Sequence, residues 1–73
     1  MKTAQLTDID NAAKEMAMAA QSIEGVVTSL EWSNDHCAWR LEIEGDDAAV
    51  ITAAHLAAQI NDKWQRQVAG MRP

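Results

Sequence analysis

Three side chains in this 73-residue sequence are soft or imidazole donors, His36, Cys37 and His55, and they bound its metal and nucleophilic chemistry. A zinc site draws on paired ligands, in patterns such as C-x2-C or H-x3-H. His36 and Cys37 are adjacent, and successive side chains of a regular strand face opposite ways, so the two do not converge on one metal. The sequence pattern places Cys37 on an apolar strand face with Trp39, where a thiol is inert. It places His36 in a polar turn and His55 on the side of its helix opposite Ala53, Ala57 and Trp64. The expectation is no metal, no cofactor and no Cys–His nucleophilic pair.

Carboxylates are the other chemical resource. Eleven acidic residues stand against six basic ones, for a net charge of −5. No acidic pair is embedded in apolar sequence of the kind that raises a pKa. There is no glycine-rich phosphate loop. A chain this short is not expected to hold both a core and a ligand pocket of about 300 Å³ or more. The sequence therefore reads as non-enzymatic. Glu42, Glu44, Asp46 and Asp47 are nevertheless crowded together, and Glu24 is expected beside them at the open end of a hairpin. Lys63, Arg66 and Arg72 gather towards the other end. The cluster reads either as a solvated surface with helix caps or as a recognition patch for a basic protein surface. The acidic balance argues against direct binding of nucleic acid, which needs clustered Lys and Arg, and against an anionic membrane.

The elements that must position these residues follow from periodicity. Thr7-Asp8-Ile9-Asp10 fits a helix N-cap, and Ile9, Ala13, Met16, Ala20 and Ile23 recur at helical spacing, so a helix is expected over about 8–23. Gly25 then supplies a left-handed turn. Two alternating runs predict strands over about 26–33 and 37–44, joined by a tight turn at Asn34–Asp35. The symmetric register pairs Val26 with Ile43, Thr28 with Leu41, Leu30 with Trp39 and Trp32 with Cys37. A second helix is expected over about 47–69, capped by Asp46 or Asp47 and stopped by Gly70, with a tail over 70–73. Val50, Ala53, Ala57, Ile60, Trp64 and Val68 form its main face. The expected fold is α+β: a small single domain, helix–β-hairpin–helix (αββα), with both helices on one face of a two-stranded antiparallel sheet. In element order this resembles the small head–tail joining proteins of tailed phages, with no shared motif.

The second helix carries the strongest functional signal. From Ala48 to Ala58 only Thr52 and His55 interrupt an apolar run, and a helix apolar nearly all round is covered on more than one side. So small a chain cannot cover it alone, which implies contact with another chain. A small domain with a single cysteine has no internal disulfide and commonly relies on oligomerisation. The expected contact flank is Ile51, Ala54, His55 and Ala58, with Trp32, beside the turn, as a possible hot spot. The N-terminus has no apolar segment behind Lys2 of the secretory type, and no stretch approaches the ~20 apolar residues that span a bilayer. A single thiol fits a reducing compartment.

Together these features predict a cytoplasmic, non-catalytic acidic interaction module. It is expected to be homodimeric, to bind and inhibit a protein partner, and to originate in a phage or mobile element. An assembly subunit such as a virion joining protein, or a small metal protein or enzyme, are the competing classes.

Overall fold

The computed structural model describes residues 1–9 and 12–71, with 68, 69 and 71 as backbone alone. The elements are β1 (Lys2–Ile9), α1 (Ala13–Gln21), β2 (Val26–Ser33), β3 (Ala38–Gly45) and α2 (Asp47–Met71). The fold is α+β, with two helices on a three-stranded sheet in the order β1-β3-β2. Both neighbours of β3 run antiparallel to it, so β1–α1–β2 is a split β-α-β unit. The expected αββα order, and with it the likeness to joining proteins, gives way to β-α-β-β-α.

The extra strand has a physical reason. In β1, Ala4 and Leu6 alternate with Thr3, Gln5 and Thr7, a period of two that suits a half-buried strand. Leu6 pairs with Leu41 and Ala4 with Ile43, so both face the helices and are half-buried. A lone hairpin is marginally stable in water. The third strand makes β3 central, and Leu41 and Ile43 are fully buried. Ile9 is also in the core, 1% exposed, but it arrives there from the end of β1 and not from a helix face.

This shortens the first helix. Thr7 is a strand residue and not a cap. α1 begins at Ala13, behind an Ala12 that makes no side-chain cap; Asp10 lies outside the described residues. Ala13, Met16 and Ala20 are buried as their spacing implies, and Ile23 packs half-buried beyond the helix end. Gly25 has φ +94° and supplies the expected turn.

The hairpin keeps its faces but shifts its register by two residues: Thr28 opposes Ile43, Leu30 opposes Leu41 and Trp32 opposes Trp39. An even shift preserves which side chains face the core. The last pair is Ser33 with Ala38, so Asn34 to Cys37 form a four-residue loop in place of the tight turn. Cys37 takes φ +50° in this loop and is exposed, which corrects its assignment to the apolar face.

α2 starts as read, with the Val50 amide donating to the Asp46 carbonyl at 2.8 Å. It does not stop at Gly70 but runs through it to Met71. Val50, Ala53 and Ala57 are fully buried, and Ile60 and Trp64 pack half-buried against them. The Val68 side chain and Arg72 lie outside the described residues. α1 and α2 are antiparallel. Gly25, just past α1, packs by Asp46 and Ala49, while the Trp64 indole N–H donates to Glu15 at the start of α1. No helix among the described residues is long and apolar enough to cross a membrane.

Candidate functional site

α1 lies nearest β2, and α2 reaches over β1. Among the described residues the opposite face of the sheet carries no helix, and by register it presents Thr3, Gln5, Val27, Ser29, Glu31, Arg40, Glu42 and Glu44. Three candidate surfaces follow from this layout.

The first is the flank of α2 turned away from α1. At about 100° per residue, Asp47, Ile51, Ala54 and Ala58 form a continuous stripe on that side, above β1. Ile51 is 55% exposed. Ala54 and Ala58 are half-buried and His55 is exposed. The His55 ring nitrogen sits 3.2 Å from the Gln59 side-chain amide. The apolar excess expected of this helix is thus narrower than the sequence implied. Most of it is alanine methyls, and Leu56 is half-buried. Ile51 stands as a large exposed side chain above small, half-buried ones.

The second is the acidic end. The Asp46 amide donates to the Gly25 carbonyl at 3.3 Å, which holds the turn containing Glu24 against the start of α2. The Asp47 carboxylate lies 3.8 Å from the terminal amino group of Met1, both exposed. Glu44 is exposed where β3 ends, opposite Thr3 and Val27. Glu24, Glu44, Asp46 and Asp47 therefore do gather at one end of the sheet. Glu42 sits further along the open face, half-buried, and accepts a 2.9 Å hydrogen bond from Gln5. That partner reduces its part in any recognition patch.

The third surface was not legible in the sequence. Between Leu6 and Ile9 the register slips by one, so Thr7 and Asp8 oppose Arg40 as a bulge, with Asp8 at φ +58°. Aspartate is among the few side chains that tolerate this conformation. The bulge, the strand ends and the loop around His36 enclose an open pocket of about 340 Å³, lined also by Trp32, Trp39, Ser33 and Ala38. The expectation that so short a chain holds no pocket of this size is corrected. The hollow is built on the sheet end and not carved from the core. Of its polar groups, Arg40 is bound to Glu31 at 2.7 Å, and the Trp32 indole donates to Asn34 at 2.8 Å. Trp32 and Trp39 meet edge to face at 5.3 Å, a pairing worth about 0.5–1.5 kcal/mol. Trp32 keeps 46% of its surface exposed.

His36 and Cys37 share the loop, the Cys37 thiol donating weakly to the Asn34 carbonyl at 3.5 Å. His55 is on the exposed side of α2. Among the described residues no three His, Cys, Asp or Glu side chains are grouped as a metal site. No family model matches this chain, and neither a curated protein nor a solved structure is significantly similar to it.

Proposed function

We propose that this chain is a non-catalytic protein-interaction module. It is cytoplasmic, homodimeric and of the kind a phage or mobile element encodes to occupy and inhibit a host protein. The observation that supports this reading best is the stripe of Asp47, Ile51, Ala54 and Ala58 along one flank of α2. It joins an exposed apolar knob to the acidic end of the sheet, and it suits a partner surface with an apolar recess beside basic side chains. Contiguous exposed apolar patches rimmed by polar residues mark interaction sites, and here Ile51 forms such a patch with the methyls of Ala54 and Ala58.

Ile51→Asp tests the stripe. Ile51 is 55% exposed, so stability should change by no more than about 0.5 kcal/mol. A central contact residue commonly contributes about 2 kcal/mol or more to binding. Proteins retained from a host lysate by the wild-type chain should therefore be lost with Ile51→Asp. Identical sets retained by both proteins would remove the stripe as a binding surface.

Charge should act on the rate. The double variant Glu24→Gln and Glu44→Gln removes two exposed carboxylates without touching the start of α2. Association with the captured partner should slow, and its salt dependence should flatten, because charged surfaces steer encounter more than they hold the complex. An unchanged on-rate at low salt would return the acidic end to a solvated surface.

A further inference from the structure

The two free edges of the sheet are unlike. β1 carries a lysine at its start and a bulge at Thr7–Asp8, with Asp8 at φ +58°. Both devices discourage a further strand from adding. β2 has neither. Its eight residues pair with β3 without interruption and include no lysine and no proline. Its one charge, Glu31, is on the open face and is held by Arg40 at 2.7 Å. Val27 is 74% exposed and Trp32 46%. The helix above this edge is α1, whose Gln21 lies 3.4 Å from the Thr28 hydroxyl as its acceptor. Lys14 and Met18 continue that same flank, since residues three and four apart share a helix face. Met18 is 65% exposed. Of the five large apolar residues exposed among those described, Met18, Val27 and Trp32 all border the β2 edge.

We infer that β2 pairs antiparallel with β2 of a second copy, merging two three-stranded sheets into one. This rests on the self-association part of the proposed function, and it assigns that contact to β2, leaving the α2 stripe for the foreign partner. A twofold axis normal to the sheet keeps the helices of both copies on the same face. Side chains directly opposite must then share a face, so the residue numbers of each pair sum to an even value. Centred on Ser29, the ladder sets Thr28 against Leu30 of the second copy, Val27 against Glu31 and Val26 against Trp32. No like charges oppose, and Val26 covers the exposed tryptophan. Paired strands lie about 4.8 Å apart. α1 sits inboard of the edge, touching both β2 and β3, so two α1 helices would approach at the ~8–10 Å of ordinary helix packing. Met18 then lies at their contact.

Charge separates this orientation from the parallel one. Glu24, Glu44, Asp46 and Asp47 mark the end of the molecule where Val26 pairs with Gly45. The other end, where Trp32 pairs with Trp39 and Trp64 meets Glu15, is of mixed sign, with Lys14, Arg40, Lys63 and Arg66 set among Asp8, Glu15, Glu31, Asp35 and Asp62. Antiparallel pairing sets the acidic cluster of each copy beside the mixed end of the other. Parallel pairing would place the two acidic clusters together.

Sedimentation equilibrium of the full chain, with amide hydrogen exchange, tests this. The wild type should be dimeric at micromolar concentration. The alternate β2 amides that point away from β3 should exchange more slowly as concentration rises. Ser29→Lys sets two lysines opposite each other on the twofold axis, while each faces Glu42 of its own chain across the β2–β3 ladder, and should raise the dimer dissociation constant about tenfold or more. Met18→Glu should weaken the dimer from the helix side, with its folding checked independently by circular dichroism. Ile51→Asp should leave the dimer intact while abolishing partner capture. A wild type that stays monomeric, or a dimer dissociated by Ile51→Asp and unaffected by Ser29→Lys, overturns the inference. Neither result alters whether the α2 stripe captures a partner.

Discussion

Gly45→Ala is expected to cost this domain more stability than any other single-methyl addition to its glycines. Gly45 has φ +155°, and an added Cβ would stand 2.0 Å from the Gly25 carbonyl oxygen and 3.0 Å from the Val26 Cα. Both obstacles are backbone, so no rotamer change relieves them. The contact lies where β2 begins and β3 ends, with Val26 opposite Gly45 and the Asp46 amide bonded to the Gly25 carbonyl at 3.3 Å. Making room means parting the strands at this end and breaking that bond. Overpacking costs roughly 1–3 kcal/mol and backbone strain a similar amount. Together these approach the roughly 4–11 kcal/mol expected for the whole domain at about 0.05–0.15 kcal/mol per residue. Gly25→Ala should be milder. An alanine here would also be strained, at φ +94°, but its Cβ would meet the Asp46 carboxylate oxygen at 3.0 Å, the end of a side chain that can turn away. Gly70→Ala meets nothing within 4 Å and should be neutral or stabilising, by up to about 1 kcal/mol. Urea unfolding of the three variants gives the ranking. A Gly45→Ala protein as stable as Gly25→Ala would mean that the strands do not close as described.

Leu41→Ala should be the most damaging truncation, at roughly 2–5 kcal/mol. Leu41 is fully buried in the central strand, with Leu6 opposite it on one side and Leu30 on the other. Its removal leaves a cavity between two flanking strands and the helices, and each wall is held by its own ladder. The denaturation midpoint should fall with no change in slope, the signature of lost stability in an unaltered fold. Leu6→Ala is the companion measurement. Leu6 is half-buried against the core, so its truncation should cost about 1–2 kcal/mol, scaled from the full-burial value. A Leu6→Ala protein with wild-type stability would detach β1 from the sheet.

β1 is also where sequence and structure part. Ile9, Ala13, Met16, Ala20 and Ile23 have the spacing of one helix face, and Thr7 with Asp8 has the look of its cap. Yet Ile9 is equally a good last residue for a strand, and period-two alternation over Ala4 and Leu6 is short and weakly apolar. Nothing local separates the two readings. What separates them is β3, whose free side needs a partner to cover Leu41 and Ile43 and to satisfy its backbone groups. The hairpin register departs from the symmetric one for a related reason. Two registers of the same parity satisfy the same hydrophobic pattern, and loop length chooses between them. The loop here has four residues, Asn34 to Cys37, and Cys37 closes it at φ +50°.

The candidate surfaces divide similarly. The flank of α2 and the acidic end were visible because helix periodicity and sequence proximity place their residues directly. The pocket was not, because it needs a bulge in β1 opposite Arg40 and the loop around His36, which are joined only by the sheet. The unguarded β2 edge was equally hidden, since a hairpin by itself does not say which strand will be central.

By itself, the sequence determined the α+β class, the two helical faces, the side of each hairpin strand that meets the core, and the gathering of acidic residues near Gly25 and Gly45. These follow from short-range periodicity and from neighbours in the chain. The tertiary structure alone decided that Lys2–Ile9 is a strand, that β3 is central and β2 an open edge, and that a pocket forms at the sheet end. Those outcomes depend on which distant backbone groups find each other, and strand pairing between remote segments leaves no periodic trace in either segment alone.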